Sequence, residues 1–231
     1  MDPTSNDTAL AAAIRELLAA HADPHRAAGQ QVYMKSAMPF RGVPRPEVRR
    51  LVRQAATALH ADLNDLVATS MELFDQATWR EERYAAIDLT GLPEALGRWE
   101  LAGLHEHQAR EGAWWDYVDD IAHRIAALHD AHPDPTAALV RRWSTDDSFW
   151  VRRLAILSQL QRGARTNTAR LAEAIEANAA EGEFFLRKAI GWALRDYART
   201  DPAWVTAFVA RHDLSPLSRR EALKHLVHDA G

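Results

Sequence analysis

The chain has 231 residues, 47% of them hydrophobic, and no cysteine. That much apolar material supports a sizeable core and excludes global disorder, while the lack of thiols excludes disulfides and thiolate metal sites and fits a reducing compartment. The net charge is −4, yet residues 139–231 hold 15 Lys+Arg against 11 Asp+Glu, so a polyanionic partner would engage mainly the C-terminal part.

The opening stretch Met1-Asp2-Pro3-Thr4-Ser5-Asn6-Asp7 is polar and acidic, unlike a signal peptide, and no apolar run approaches the length of a membrane span. A cytoplasmic protein with no membrane partner is expected. Period-2 alternation is absent, so strands are not predicted. Helical spacing is widespread, as in Leu51, Val52, Ala55, Ala56 and Leu59, and again in Ile190, Leu194 and Tyr197. Helix starts are marked in chain order. Asp23-Pro24, Asp134-Pro135 and Asp201-Pro202 each offer an N-cap acceptor followed by proline. Thr78-Trp79-Arg80-Glu81 and Ser218-Arg219-Arg220-Glu221 match the capping box. About a dozen short helices joined by turns of a few residues are predicted.

A repeat narrows the fold. Arg153-Leu154-Ala155-Ile156-Leu157, Arg187-Lys188-Ala189-Ile190-Gly191 and Arg220-Glu221-Ala222-Leu223-Lys224 follow one another at steps of 34 and 33 residues, and one step back from Arg153 reaches Asp119. A period of this length filled by two helices marks an α-solenoid, and HEAT-like pairs fit better than the TPR pattern, whose Trp-Leu-Gly-Tyr signature is missing. The expectation is an all-α protein. Residues 1–231 form a single HEAT-like domain, with 1–30 as an N-terminal helical cap and 31–231 as the repeats. Asp119, Arg153, Arg187 and Arg220 would then form a ladder along one wall, taken to be concave. Three basic rungs suit a phosphate backbone and one acidic rung suits a cation. Solvated repeat positions are the plainer alternative for the arginines.

The richest chemistry lies in Trp114-Trp115-Asp116-Tyr117-Val118-Asp119-Asp120. Trp115 and Asp119 are four apart and share one helix face, whereas Asp116 and Asp120 point elsewhere. An aromatic plane beside a carboxylate suits a flat, cationic ligand such as an alkylated nucleobase. Trp79, Trp99, Trp143 and Trp204 read as packing residues. Of the 11 histidines, His105-Glu106-His107 and His225 with His228 lie closest, but neither pair matches H-E-x-x-H or has a third ligand, so no metal is expected. No nucleotide-binding or serine-hydrolase motif is present, and no cofactor is expected.

Several segments together resemble the AlkD-type DNA alkylation-repair glycosylases, which are built from HEAT-like repeats. They are Tyr33-Met34-Lys35 with Pro39-Phe40-Arg41-Gly42, Pro46-Glu47-Val48-Arg49-Arg50, the Trp114–Asp119 run, Trp150–Leu157, Phe184–Trp192 and Leu217–Ala222. The resemblance spans about Tyr33 to His225. It implies hydrolysis of the N-glycosidic bond of purines alkylated at N3 or N7 in double-stranded DNA, without a deep pocket for a flipped base. It implies Asp119 as the catalytic carboxylate, Trp115 and Trp192 as aromatic walls beside the sugar, Tyr33 in the cleft, and Arg153 on the DNA backbone. Further DNA contacts are expected from Arg45, Phe184, Phe185, Arg187, Lys188 and Arg220, one of the two phenylalanines being buried. The implied protein is a monofunctional enzyme, a monomer and nucleoid-associated. Two other readings stay open: a HEAT-type scaffold binding protein or DNA without catalysis, and a self-resistance enzyme removing bulky natural-product adducts.

Overall fold

The computed structural model describes residues 8–226; the acidic opening segment and His228 lie outside them. Among the described residues there are 13 α-helices, two short 3-10 turns and no strand. The protein is all-α, as the 3.6-residue periodicity requires. The contacts fall into two compact units, residues 1–96 and 97–231.

The first unit holds α1 (Ala9–Ala20), α2 (Pro24–Met34), α3 (Arg45–Ala58), α4 (Leu63–Asp75) and α5 (Arg80–Leu89). Asp23 caps α2 as expected, its carboxylate accepting from the Arg26 N–H, with Pro24 in the first turn. The helix runs on to Met34, across the position where an N-terminal cap was to end. The capping box expected at Thr78 does not form. Trp79 occupies the N-cap position of α5. The Glu81 carboxylate turns away and accepts the backbone N–H groups of Arg41, Gly42 and Val43 at 2.8–3.1 Å. A buried carboxylate satisfied by three amide donors fixes this loop against α5 better than a helix cap would. Gly42 makes the turn possible: its φ is +90° and a Cβ there would lie 2.0 Å from the Asp23 carbonyl oxygen.

The second unit holds α6 (Ala102–Gly112), α7 (Trp115–Ala131), α8 (Pro133–Trp143), α9 (Phe149–Leu157), α10 (Thr168–Glu176), α11 (Phe184–Tyr197), α12 (Pro202–Arg211) and α13 (Pro216–Leu223). The second helices of successive pairs, α7, α9, α11 and α13, pack side by side in that order, while α8 packs on α10 behind them. This is the repeat stacking of an α-solenoid. Asp201 caps α12 as expected. The other two start signals shift. α8 begins at Pro133 with His132 as its N-cap, one residue before Asp134. α13 begins at Pro216, capped by the Ser215 hydroxyl, so Ser218 lies inside the helix and donates to the Arg187 carbonyl at 2.9 Å. Of the four tryptophans expected to pack inside, Trp143 is fully buried, but Trp99 is 36% exposed.

The 34-residue repeat is held together by charge. Side chains 32–36 positions apart are bridged, by ion pairs from Arg110 to Asp146, Asp130 to Arg162 and Arg141 to Glu173, and by a hydrogen bond between Glu176 and His212. Equivalent positions in neighbouring repeats therefore pair with one another rather than all facing solvent.

Candidate active site

α6 ends on Ala113 in the left-handed conformation (φ 45°), which swings the chain round to start α7. Trp114, at the N-cap of α7, supplies no side-chain cap. Its indole joins an aromatic cluster with Trp150 and Phe185, at centroid distances of 5.9 and 5.8 Å, and Trp150 and Phe185 lie 4.8 Å apart. Phe149 and Phe184 extend the cluster at its edges. These rings sit at the N-terminal ends of α7, α9 and α11, so one apolar knot sets the register of all three helices. Phe184 is 55% exposed, and Phe185, the less exposed of the pair of which one was expected to be buried, is half-buried within the cluster.

One turn into α7, Asp119 meets Arg153 of α9. The guanidinium Nε donates to Oδ1 at 2.8 Å and Nη2 to Oδ2 at 2.9 Å, a bidentate pair. The third nitrogen donates to the Phe185 carbonyl at the start of α11. Arg153 is 1% exposed and Asp119 22%. The arginine is thus enclosed behind the carboxylate, with each of its three nitrogens donating within the protein. Rather than standing as an open basic rung, Arg153 pairs here with the acid one repeat earlier. Burial pushes the Asp119 carboxyl above its ordinary 3.8, with Arg153 opposing and Asp116 reinforcing the rise.

Trp192, on α11, completes the centre. The Arg153 guanidinium lies 5.2 Å from its ring centroid and the Lys188 ammonium 5.1 Å. A cleft of about 270 Å³ opens here, lined by Asp119, His123, Trp192, Arg195, Asp196 and Arg199. Trp115 is half-buried on the first turn of α7, and Trp192 is the indole that lines the cleft. His123, Arg195 and Arg199 were missed from the sequence, although His123 stands four after Asp119, and Arg195 and Arg199 three and seven after Trp192, all helical spacings.

The other expected DNA contacts are placed as follows. Arg187 donates to the Glu181 carbonyl, Lys188 pairs with Glu221 at 2.8 Å, and Arg220 is exposed. In the first unit, Tyr33 is 75% exposed at the end of α2. Arg45 there makes a bidentate pair with Asp88 at 2.9 and 3.0 Å and lies over the Tyr84 ring. Among the described residues no group of three His, Cys, Asp or Glu side chains could hold a metal, and no helix is long and apolar enough to cross a membrane. His105 is a core residue, 2% exposed, whose burial drops its pKa to about 3.

Comparison with known proteins fits this geometry to a family. The family model for DNA alkylation repair enzymes matches residues 14–226. The chain belongs to the DNA alkylation repair enzyme family. A solved structure of a predicted DNA alkylation repair enzyme from Enterococcus faecalis is similar at 32% identity, with a TM-score of 0.80 over 89% of this chain and 96% of that one. No curated protein matches. Membership of a DNA alkylation repair family makes DNA the partner and alkylation damage the context, and the α-solenoid is this family's fold.

Proposed function

We propose that this family member is a monofunctional DNA glycosylase. It would hydrolyse the N-glycosidic bond of purines made cationic by alkylation at N3 or N7 in duplex DNA. The observation that carries the reading is Asp119: a carboxylate fixed by two arginine hydrogen bonds, still open on one side to a cleft walled by Trp192. An alkylated purine already bears positive charge, so its leaving group needs no acid. As the C1′–N bond breaks, its electron pair neutralises the departing base and the charge moves to the deoxyribose. A preorganised carboxylate stabilises that charge without reorganising, and the face of an indole adds to it. Water then bonds to C1′ and gives up a proton, for which Asp119 is the proposed acceptor. No amine nucleophile is needed. The open cleft favours a lesion that stays near the duplex over one drawn deep into a pocket, which limits substrates to labile, cationic bases.

The test is chromatographic detection of 3-methyladenine and 7-methylguanine released from methylated duplex DNA. Release of either supports the reading. Binding of the duplex with release of neither overturns it in favour of a non-catalytic DNA binder, and failure to bind DNA favours a protein scaffold.

A further inference from the structure

Trp192 lies among several cations, which a site for a cationic sugar must offset. Arg153 and Lys188 both lie within cation–π reach of its ring, and Arg195 lines the same cleft. Asp119 offsets Arg153. Asp196 and Arg199 also line the cleft, and a further acid, Glu221, reaches the cations of α11 from α13. Its Oε1 accepts from Lys188 Nζ at 2.8 Å and its Oε2 from Arg195 Nη1 at 2.7 Å. The carboxylate thus spans two cations on one face of α11, on either side of Trp192 in sequence.

The approach of α13 needed for this is built into the chain. Gly191 faces α13, and a Cβ there would lie 2.4 Å from the Glu221 Cβ and 3.0 Å from the Ser218 carbonyl. Ser218 in turn ties α13 to the Arg187 carbonyl. The Lys188 hydrogen bond holds the Glu221 carboxyl below its ordinary 4.5. Glu221 is therefore ionised wherever the enzyme would act.

We propose that Glu221 is a positioning residue of this site: it neutralises Lys188 and Arg195, holds Lys188 beside the Trp192 ring, and so keeps the cleft receptive to a cationic sugar. The proposal rests on the glycosylase reading. With Glu221 removed, two uncompensated cations would face the nascent charge and raise its energy, while the same cations would draw DNA phosphates more strongly. Rate and affinity should therefore move in opposite directions, which loss of a merely structural contact would not produce.

The experiment compares wild type, Glu221→Gln, Glu221→Asp and the double variant Lys188→Gln/Glu221→Gln. It measures single-turnover release of 7-methylguanine, duplex affinity across a salt series, and thermal unfolding. Glu221→Gln is expected to slow excision about tenfold and to bind duplex a few-fold tighter at low salt, with a steeper salt dependence. The double variant, with one cation fewer, is expected to regain part of the rate. Glu221→Asp, which keeps the charge, should lie between wild type and Glu221→Gln. If Glu221→Gln excises at the wild-type rate, or if rate, affinity and melting temperature fall together without recovery in the double variant, the proposal is overturned. If Glu221→Gln fails to fold, the comparison of Glu221→Asp with Lys188→Gln decides: rate loss in the first with affinity loss alone in the second supports the proposal, and equal loss of rate and affinity in both overturns it. A wild type that releases no base fails the glycosylase reading instead, and is distinguished at the first measurement.

Discussion

Asp119 and Arg153 stand 34 residues apart, one repeat, and are joined by two hydrogen bonds of 2.8 and 2.9 Å. The pair does two things at once. It fastens α7 to α9, and through the Phe185 carbonyl to α11. It also fixes the carboxylate's orientation, leaving one side to the cleft. Pre-set orientation is what lets a fixed charge act on a transition state without the cost of reorganisation.

Asp119→Asn tests the charge with little change of shape. Removing one preorganised electrostatic partner commonly costs about 10²–10³ in rate. Single-turnover excision of 7-methylguanine is expected to fall by that order, with duplex affinity changed only a few-fold. The raised pKa of the Asp119 carboxyl means that the fold already favours a neutral side chain there, so Asn should cost little stability at neutral pH, which chemical denaturation checks.

Arg153→Ala separates holding a carboxylate from holding a phosphate. A phosphate contact, when lost, lowers the slope of log affinity against log salt by about 1. Arg153 is 1% exposed and already donates to Asp119 and to the Phe185 carbonyl. The expected outcome is a large fall in excision with the salt slope unchanged. A slope reduced by one unit would show that the guanidinium leaves Asp119 when DNA binds.

The pH profile follows from the same burial. Desolvation lifts the folded Asp119 carboxyl above its ordinary 3.8. On the proposed reading its active form is the ionised one, so excision should fall on acidification with a midpoint above 3.8, measured on a pre-bound duplex. The stability contribution runs the other way: a raised folded pKa favours the folded state in acid, and that benefit is lost as pH rises through the shifted value.

Much of this was legible in the residues themselves. The helical class followed from the 3.6-residue spacing, and Asp23-Pro24 and Asp201-Pro202 start helices as written. The 34-residue step was visible too, whereas the grouping of Asp119 with Trp192 came from the resemblance to a known family. What the sequence withheld were the choices a side chain makes among competing partners. Glu81 had the spacing of a capping box but found three amide donors on a neighbouring loop. Arg153 had the position of an exposed rung but found the acid one repeat earlier. The ladder expected of Asp119, Arg153, Arg187 and Arg220 assumed one rotation for every helix. In the structure, the residue beside Arg220, Glu221, is the one turned toward Trp192, through Lys188 and Arg195. Helix rotation of this kind is set by packing, here by the missing Cβ of Gly191, which periodicity does not reveal.

Two buried histidines make the fold acid-sensitive. Burial lowers His105 to about 3 and His129 to about 4, from an ordinary 6.5. As pH falls through 6.5 the unfolded chain takes up protons that the folded chain refuses. The stability they contribute is therefore complete above 6.5 and lost progressively toward 4. Each contributes a slope of up to about 1.4 kcal/mol per pH unit in that window. His105 Nδ1 has no hydrogen-bond partner, so His105→Leu removes one such slope at little packing cost. Denaturation between pH 7 and 4 is expected to show the variant losing less stability on acidification than the wild type.

Gly191→Ala inverts the usual effect of the substitution. In a helix interior, alanine in place of glycine normally stabilises by about 0.5–1 kcal/mol. At Gly191 the added methyl carbon would sit 2.4 Å from the Glu221 Cβ and 3.0 Å from the Ser218 carbonyl. Neither atom is the far end of a flexible chain, so α13 must retreat. Overpacking of this sort costs about 1–3 kcal/mol, enough to outweigh the gain in helix propensity. The variant should melt below the wild type. Because the retreat carries Glu221 away from Lys188 and Arg195, it should also lose excision rate at temperatures where it is fully folded. A variant that melts higher than the wild type would show that α11 and α13 do not meet as closely as the carboxylate's two ion pairs require.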